Sequence, residues 1–191
     1  MSGLRAQVNG PNILTALRIV LVPLFGWMLL AHPDDVQWRI FTTLMFSVAI
    51  ATDFVDGWWA RKYNLVTDFG KIADPIADKA ITGMAFVGLS IIGELPWLIT
   101  ICILVREWGI TLFRFILLRR GVVLAASRGG KLKTVLQSVA LILFLLPLVP
   151  YGWAVPSLAE IPDLVSWIIM ILATLQTVIT GVQYVVDNLK E

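Results

Sequence analysis

Long apolar segments alternate with short polar breaks along the whole chain. A helix needs about 20 mostly apolar residues to cross the hydrocarbon core of a bilayer. Backbone inside lipid must satisfy its own hydrogen bonds, which favours helices, and the breaks carry the Pro, Gly, Asp and Ser residues typical of turns. The pattern therefore predicts an all-α integral membrane protein, one domain over residues 1–191, with six transmembrane helices at about 13–31, 40–59, 76–92, 97–118, 132–149 and 164–186.

The composition supports this interpretation and argues against several other classes of protein. Apolar residues make up 58% of the 191 residues and charged residues 15%, whereas soluble domains carry about 45–50% and about 25%. The chain is too hydrophobic for a disordered protein, and the excess argues against a soluble enzyme. A single cysteine, Cys102, excludes an intramolecular disulfide and a cysteine-cluster metal site. The net charge of +2 gives no indication of nucleic-acid binding.

Lysine and arginine are distributed unevenly between the two sets of polar segments. Six spans place both termini on the same side, and the three breaks on the opposite side contain only Arg39 among their basic residues. The positive-inside rule predicts that both termini are cytoplasmic in a multi-pass protein of the cell (inner, cytoplasmic) membrane. The basic residues on the terminal side are Arg5, Arg61, Lys62, Lys71, Arg119, Arg120, Arg128, Lys131, Lys133 and Lys190.

Four aspartates interrupt the apolar pattern where the second predicted span ends and the third begins. Asp53 and Asp56 are three residues apart, and Asp74 and Asp78 are four apart, so each pair occupies one face of its helix. The stretch between the pairs returns the chain to the next helix, so we expect all four carboxylates to converge at the cytoplasmic end. Ionisable residues in spans indicate function, and carboxylates without His or Cys suit Mg²⁺ or Mn²⁺. Interfacial charges without a function would explain one such aspartate better than two pairs.

Small residues and one arginine adjoin the aspartates. Gly57, Ala60 and Gly70 allow a helix or a ligand to approach the backbone closely, and the Arg61 guanidinium suits a phosphate. Two divalent cations bridged by carboxylates would make a site for phosphoryl transfer. A cation transporter is the alternative from a different class. It would need charges through the full depth of the membrane, whereas these acids lie at one end.

Residues 53–78 follow the pattern DxxDGxxAR-x8-GxxxDxxxD, with all eight fixed positions present: Asp53, Asp56, Gly57, Ala60, Arg61, Gly70, Asp74 and Asp78. The chain thereby resembles the CDP-alcohol phosphotransferases over essentially its whole length. The resemblance implies a six-helix membrane core and transfer of a phosphatidyl-type group from a CDP-linked donor to an alcohol, with release of CMP. It also suggests a homodimer.

The same resemblance assigns roles to the signature residues. Asp53, Asp56 and Asp74 would be shared ligands of two divalent cations, and Asp78 would be both a metal ligand and the general base. The CDP donor would contact the second aspartate, the small residues and the arginine: Asp56, Gly57, Ala60, Arg61 and Gly70.

A second cationic set lies further along the chain and is predicted to select the acceptor. Arg106 and Arg114 lie on the fourth predicted span, and Lys131 and Lys133 begin the fifth. An acceptor with its own phosphate needs cations, whereas a bare polyol needs hydroxyl partners. These residues therefore indicate a phosphorylated acceptor, although a structural ion pair between Arg106 and Glu107 is the alternative.

Three shorter stretches, within residues 12–23, 106–114 and 130–137, resemble one subfamily, the bacterial phosphatidylglycerophosphate synthases. That resemblance implies that CDP-diacylglycerol and glycerol 3-phosphate are the substrates. The same chemistry with phosphatidylglycerol, as in cardiolipin synthases, or with an inositol phosphate stays open from the sequence.

Overall fold

The computed structural model describes residues 10–62, 68–119, 128–147 and 156–188. Within these ranges every regular element is an α-helix and no strand occurs, which confirms the predicted all-α class. Each predicted apolar segment falls on one of the six helices. They are α1 (Gly10–Ala31), α2 (Val36–Lys62), α3 (Asp68–Ile91), α4 (Trp97–Arg119), α5 (Arg128–Leu145) and α6 (Pro156–Asn188).

Local sequence signals explain where several helices begin and end. The Asp35 carboxylate accepts hydrogen bonds from the backbone N–H groups of Gln37 at 2.9 Å and Trp38 at 3.1 Å, which caps the start of α2. Gly93, with φ of 83°, lies in the turn after α3. This backbone conformation is unfavourable for residues that have a Cβ, so a glycine suits the position. Proline is also favoured in the first turn of a helix, where Pro156 begins α6.

Some helix ends differ from the predicted spans. The fifth helix ends at Leu145, so the predicted end at 149 is wrong. Pro147 follows closely, and a proline disfavours helical backbone at the residue before it. The second helix continues to Lys62 and the third already begins at Asp68. The described residues of the polar stretch predicted to return the chain to the next helix are therefore helical.

The chain forms two compact units, and the first comprises Met1–Ile92. Within it, α1 packs against both α2 and α3. The buried core includes Phe25 and Phe46, whose ring centroids are 5.8 Å apart. The close packing of α1 and α3 is reciprocal: a Cβ at Gly26 would overlap Met84, and a Cβ at Gly88 would overlap Leu29. Each helix therefore has a glycine against which a side chain of the other helix packs.

The second unit comprises Gly93–Glu191. Here α6 packs against both α5 and α4. Phe144 of α5 meets Trp167 of α6 edge to face, with ring centroids 5.2 Å apart. The helix α6 is therefore the element that organises this unit.

In the described part of the chain, one helical segment, Asp163–Asp187 in α6, is long and apolar enough to cross a membrane by length and composition. The other apolar helical segments are shorter: Thr15–Ala31, Lys79–Ile91 and Leu132–Leu145. Charged residues, Arg106 and Glu107, interrupt the middle of α4. Even so, all six helices expose large apolar side chains, including Val20, Leu44, Ile76, Leu98, Val135 and Leu164.

Candidate active site

The signature aspartates lie near the two helix ends that one short connection joins. Asp53 and Asp56 lie in the last part of α2, and Asp74 and Asp78 lie in the first half of α3. At about 1.5 Å per residue, Asp56 and Asp74 are each roughly 9 Å along the helix from the connected end. Residues 63–67 can separate those ends by at most roughly 20 Å. The short connection therefore limits how far apart the two aspartate pairs can lie within the first unit.

Asp53 is the signature carboxylate whose side chain the structure describes. Its Oδ1 accepts a hydrogen bond from Nη1 of Arg18 at 2.7 Å. Arg18 lies on α1, and only 3% of its side chain is exposed, whereas 39% of the Asp53 side chain is exposed. The buried guanidinium therefore holds a carboxylate that solvent or a ligand can still reach, and α1 contributes to the candidate site together with α2 and α3.

The other predicted site residues lie on the expected helices, but their side chains fall outside the described part of the structure. Among the side chains that are described, no group of three or more His, Cys, Asp or Glu residues could hold a metal ion. The roles predicted for the site residues whose side chains are not described therefore stay predictions. They are Asp56, Gly57, Ala60 and Arg61 on α2, Gly70, Asp74 and Asp78 on α3, Arg114 on α4 and Lys131 on α5.

The donor atoms of the signature suit hard divalent cations. All four are carboxylates, and oxygen is the ligand that Mg²⁺ and Mn²⁺ prefer. A carboxylate has two oxygens and about four lone-pair positions. A hydrogen bond such as that from Arg18 uses one of these positions.

A second polar cluster, formed by Arg106, Glu107 and Lys133, lies in the second unit. Oε1 of Glu107 accepts hydrogen bonds from Nη1 of Arg106 at 3.1 Å and from Nζ of Lys133. Their side chains are 15%, 18% and 6% exposed, in that order. One carboxylate thus brings together two of the four cations predicted to bind an acceptor phosphate. The ion pair between Arg106 and Glu107, raised above as the alternative, is also present.

The helix α6 completes this cluster with hydroxyl groups. Nη2 of Arg106 donates to Thr180 Oγ1 at 3.0 Å, and Nε2 of Gln137 donates to Thr177 Oγ1 at 2.8 Å. Both threonines are buried. The polar side chains of α4 and α5 are therefore oriented by acceptors one turn apart on α6.

Arg18 and Thr180 are absent from the set of site residues predicted from sequence. A signal for Arg18 is present, because an arginine within an apolar span needs a partner and indicates function by default. Thr180 has no comparable signal, because threonines are common in membrane helices as packing residues.

Comparison with known proteins identifies the family. A "Probable phosphatidylglycerophosphate synthase" of Mycobacterium tuberculosis is 44% identical over an alignment that covers 98% of this chain and 85% of that protein. Two proteins named "CDP-diacylglycerol–glycerol-3-phosphate 3-phosphatidyltransferase" are also similar. The Bacillus subtilis protein is 35% identical, covering 94% of this chain and 95% of its own length. The Rickettsia prowazekii protein is 39% identical, covering 95% and 96%. The sequence model of the CDP-alcohol phosphatidyltransferase family matches residues 8–180, and the chain therefore belongs to that family.

Proposed function

We propose that this chain transfers a phosphatidyl group from CDP-diacylglycerol to glycerol 3-phosphate, giving phosphatidylglycerophosphate and CMP. The observation that carries the proposal is the complete aspartate signature on α2 and α3, on both sides of one short connection. The names of the similar proteins support the choice of these two substrates. The family match extends across both compact units, which supports treating 1–191 as one catalytic domain.

The signature residues divide the chemistry between them. Enzymes of this family generally depend on divalent cations. In this chain Asp53, Asp56, Asp74 and Asp78 would hold two of them, Mg²⁺ or Mn²⁺. Such cations, when bound, neutralise the diphosphate and the leaving group. Asp56 also contacts the CDP donor, together with Gly57, Ala60, Arg61 and Gly70.

Asp78 acts as the general base of the proposed reaction. It takes the proton from the acceptor hydroxyl as the hydroxyl oxygen forms a bond to the β-phosphorus. The bond between that phosphorus and the oxygen of CMP breaks, and CMP leaves with the electron pair. Arg18 holds Asp53 from the buried side, so that this carboxylate keeps its orientation before substrate binds. Positioning of donor and acceptor supplies much of the remaining rate acceleration.

The second cluster provides the proposed site for the acceptor phosphate. Lys133 is buried and Arg106 is half-buried, and they share the Glu107 carboxylate, so the three groups together are cationic. Arginine and lysine both bind phosphate oxygens with charge-assisted hydrogen bonds. Arg114, two turns after Arg106, and Lys131, two residues before Lys133, extend the proposed acceptor site.

We further propose that all six helices span the cell (inner) membrane, with both termini and the aspartate cluster on the cytoplasmic side. The family is membrane-bound, and exposed apolar side chains on every helix suit contact with lipid. The hydroxyls of Thr42, Thr43, Ser47 and Thr52 on α2 each donate to the carbonyl four residues earlier, at 2.6–2.8 Å. Such bonds satisfy a hydroxyl where water is absent. A homodimer is part of the same proposal.

Release of CMP tests the proposed reaction. The purified protein in detergent micelles receives CDP-diacylglycerol and, separately, glycerol 3-phosphate, phosphatidylglycerol, an inositol phosphate or inositol. We expect CMP release with glycerol 3-phosphate and little with the other acceptors. Turnover with another acceptor alone would retain the chemistry and refute the acceptor, whereas no CMP release with any of them would favour a transporter or an inactive binding protein.

A further inference from the structure

One face of α6 lies against the side chain of Arg106. Thr177, Thr180 and Gly181 are three or four residues apart in the helix, so they share this face, and all of them are buried. The face offers a hydroxyl at Thr180 and, next to it, a position without a side chain at Gly181. Arg106 contacts both.

The Thr180 hydroxyl is fixed as an acceptor by its own helix. It donates to the backbone carbonyls of Gln176 at 2.7 Å and Thr177 at 3.2 Å. A hydroxyl has one hydrogen and two lone pairs. Because that hydrogen is used within α6, a lone pair remains for Nη2 of Arg106, which lies 3.0 Å away. If the Thr180 side chain rotated so that its oxygen moved away from Arg106, the hydroxyl would also lose its hydrogen bonds to the α6 carbonyls.

Gly181 leaves the space through which the Arg106 side chain passes. A Cβ at this position would lie 2.9 Å from Cγ, 3.2 Å from Nε and 3.6 Å from Cδ of Arg106. The nearest of these atoms, Cγ, is close to the α4 backbone and cannot swing aside as a chain end can. Nε is also fully buried and has no hydrogen-bond partner among the described residues, so the side chain is enclosed at this point.

We propose that Thr180 and Gly181 are positioning residues that set the place of the Arg106 guanidinium and, through it, the affinity for the acceptor. The inference rests on the proposed function, in which Arg106 binds the acceptor phosphate. Thr180 fixes one end of the guanidinium while Glu107 fixes the other at 3.1 Å. Gly181 permits the extended path between them. A side chain at 181 would displace the guanidinium, and no contact with the CDP donor is proposed for either residue.

The test compares two glycine-to-alanine variants in the full chain. Gly181→Ala is expected to raise KM for glycerol 3-phosphate about tenfold, as expected for loss of one charged hydrogen bond. KM for CDP-diacylglycerol should stay within about twofold, because no donor contact is proposed for Arg106. Gly109→Ala is the matched control. Gly109 lies on the same helix as Arg106, and a Cβ there meets nothing within 4 Å, so both KM values should remain those of wild type. KM does not depend on how much of the enzyme is folded, so a lower yield of folded protein cannot imitate the effect.

A double-mutant cycle separates positioning from general damage to α6. In an Arg106→Ala background the atoms that clash are gone, so Gly181→Ala should raise the acceptor KM no further. Equal fold-increases in both backgrounds would overturn the inference, as would an unchanged acceptor KM in the single variant.

The hydroxyl at Thr180 provides a second, independent comparison. Thr180→Val keeps the shape of the side chain but removes the hydroxyl that accepts from Arg106, and it should raise the acceptor KM several-fold. Thr180→Ser keeps the hydroxyl, so its acceptor KM should remain that of wild type. If Gly181→Ala does not fold, this pair decides, and an unchanged acceptor KM in Thr180→Val overturns the inference. If wild type uses an acceptor other than glycerol 3-phosphate, the proposed function fails, and the KM for the acceptor it does use decides the inference.

Discussion

Replacing Glu107 by glutamine tests whether this carboxylate stabilises the second cluster by its charge. The substitution keeps the shape of the side chain and an oxygen that can accept hydrogen bonds. It removes the negative charge that both Arg106 and Lys133 contact. The two cations then remain close together in the interior of the second unit.

The cost follows from how little of the cluster is exposed. At 15%, 18% and 6% exposure, solvent screens these side chains only weakly. Removing one partner of a buried ion pair costs about 3–5 kcal/mol. Because glutamine still accepts hydrogen bonds, we expect the lower end, about 3 kcal/mol. For a chain of this size each kcal/mol shifts Tm by about 2–4 °C, so the expected drop is about 6–12 °C.

Thermal unfolding in detergent, followed by tryptophan fluorescence, measures this shift. Asp163→Asn is the control, because Asp163 is exposed on α6 and its loss should change Tm by less than about 2 °C. The double variant Glu107→Gln/Lys133→Met removes one of the two remaining cations and should recover part of the lost Tm. If Glu107→Gln lowers Tm no more than Asp163→Asn does, the charge of Glu107 does not stabilise the cluster.

Three further outcomes are expected. Asp78→Asn should lower the rate of CMP release about 10²–10⁴-fold while CDP-diacylglycerol still binds in an equilibrium binding assay; a variant with more than half of wild-type activity would refute the role of general base. EDTA should stop CMP release and added Mg²⁺ or Mn²⁺ should restore it, so undiminished activity after exhaustive chelation would contradict metal dependence. Cys102, the single cysteine, is exposed on α4. In native membranes it should resist a water-soluble maleimide until SDS is added; labelling as fast as that of a Lys62→Cys variant lacking Cys102 would contradict a spanning α4.

The helices could be predicted from the sequence because each depends on a long local pattern. Six apolar segments predict six helices, and the described structure contains six. Hydropathy predicts the ends of the helices less well than their existence. The signature of α2 and α3 is polar, yet its residues continue the helices to Lys62 and from Asp68, because a polar residue on a helix need not interrupt its backbone hydrogen bonds.

Contacts between helices could not be predicted in the same way. Periodicity shows which residues share a face, but it does not show which faces meet. Arg18 pairs with Asp53 across 35 residues, and Arg106 bonds to Thr180 across 74. Nothing in the sequence near Gly181 distinguishes it from a glycine that merely permits close packing. Its relation to Arg106 follows only from the position of both side chains in the folded second unit.

The reciprocal packing of α1 and α3 has a consequence for an enzyme whose lipid product enters the membrane around it. Met84 fills the space at Gly26, and Leu29 fills the space at Gly88. Between helices in lipid, such contacts are held by van der Waals attraction, because lipid chains are as apolar as the side chains they would replace. That attraction is independent of lipid headgroup charge. Under the proposed activity, the pair that carries Arg18 and Asp78 would therefore keep its packing as anionic lipid accumulates around it.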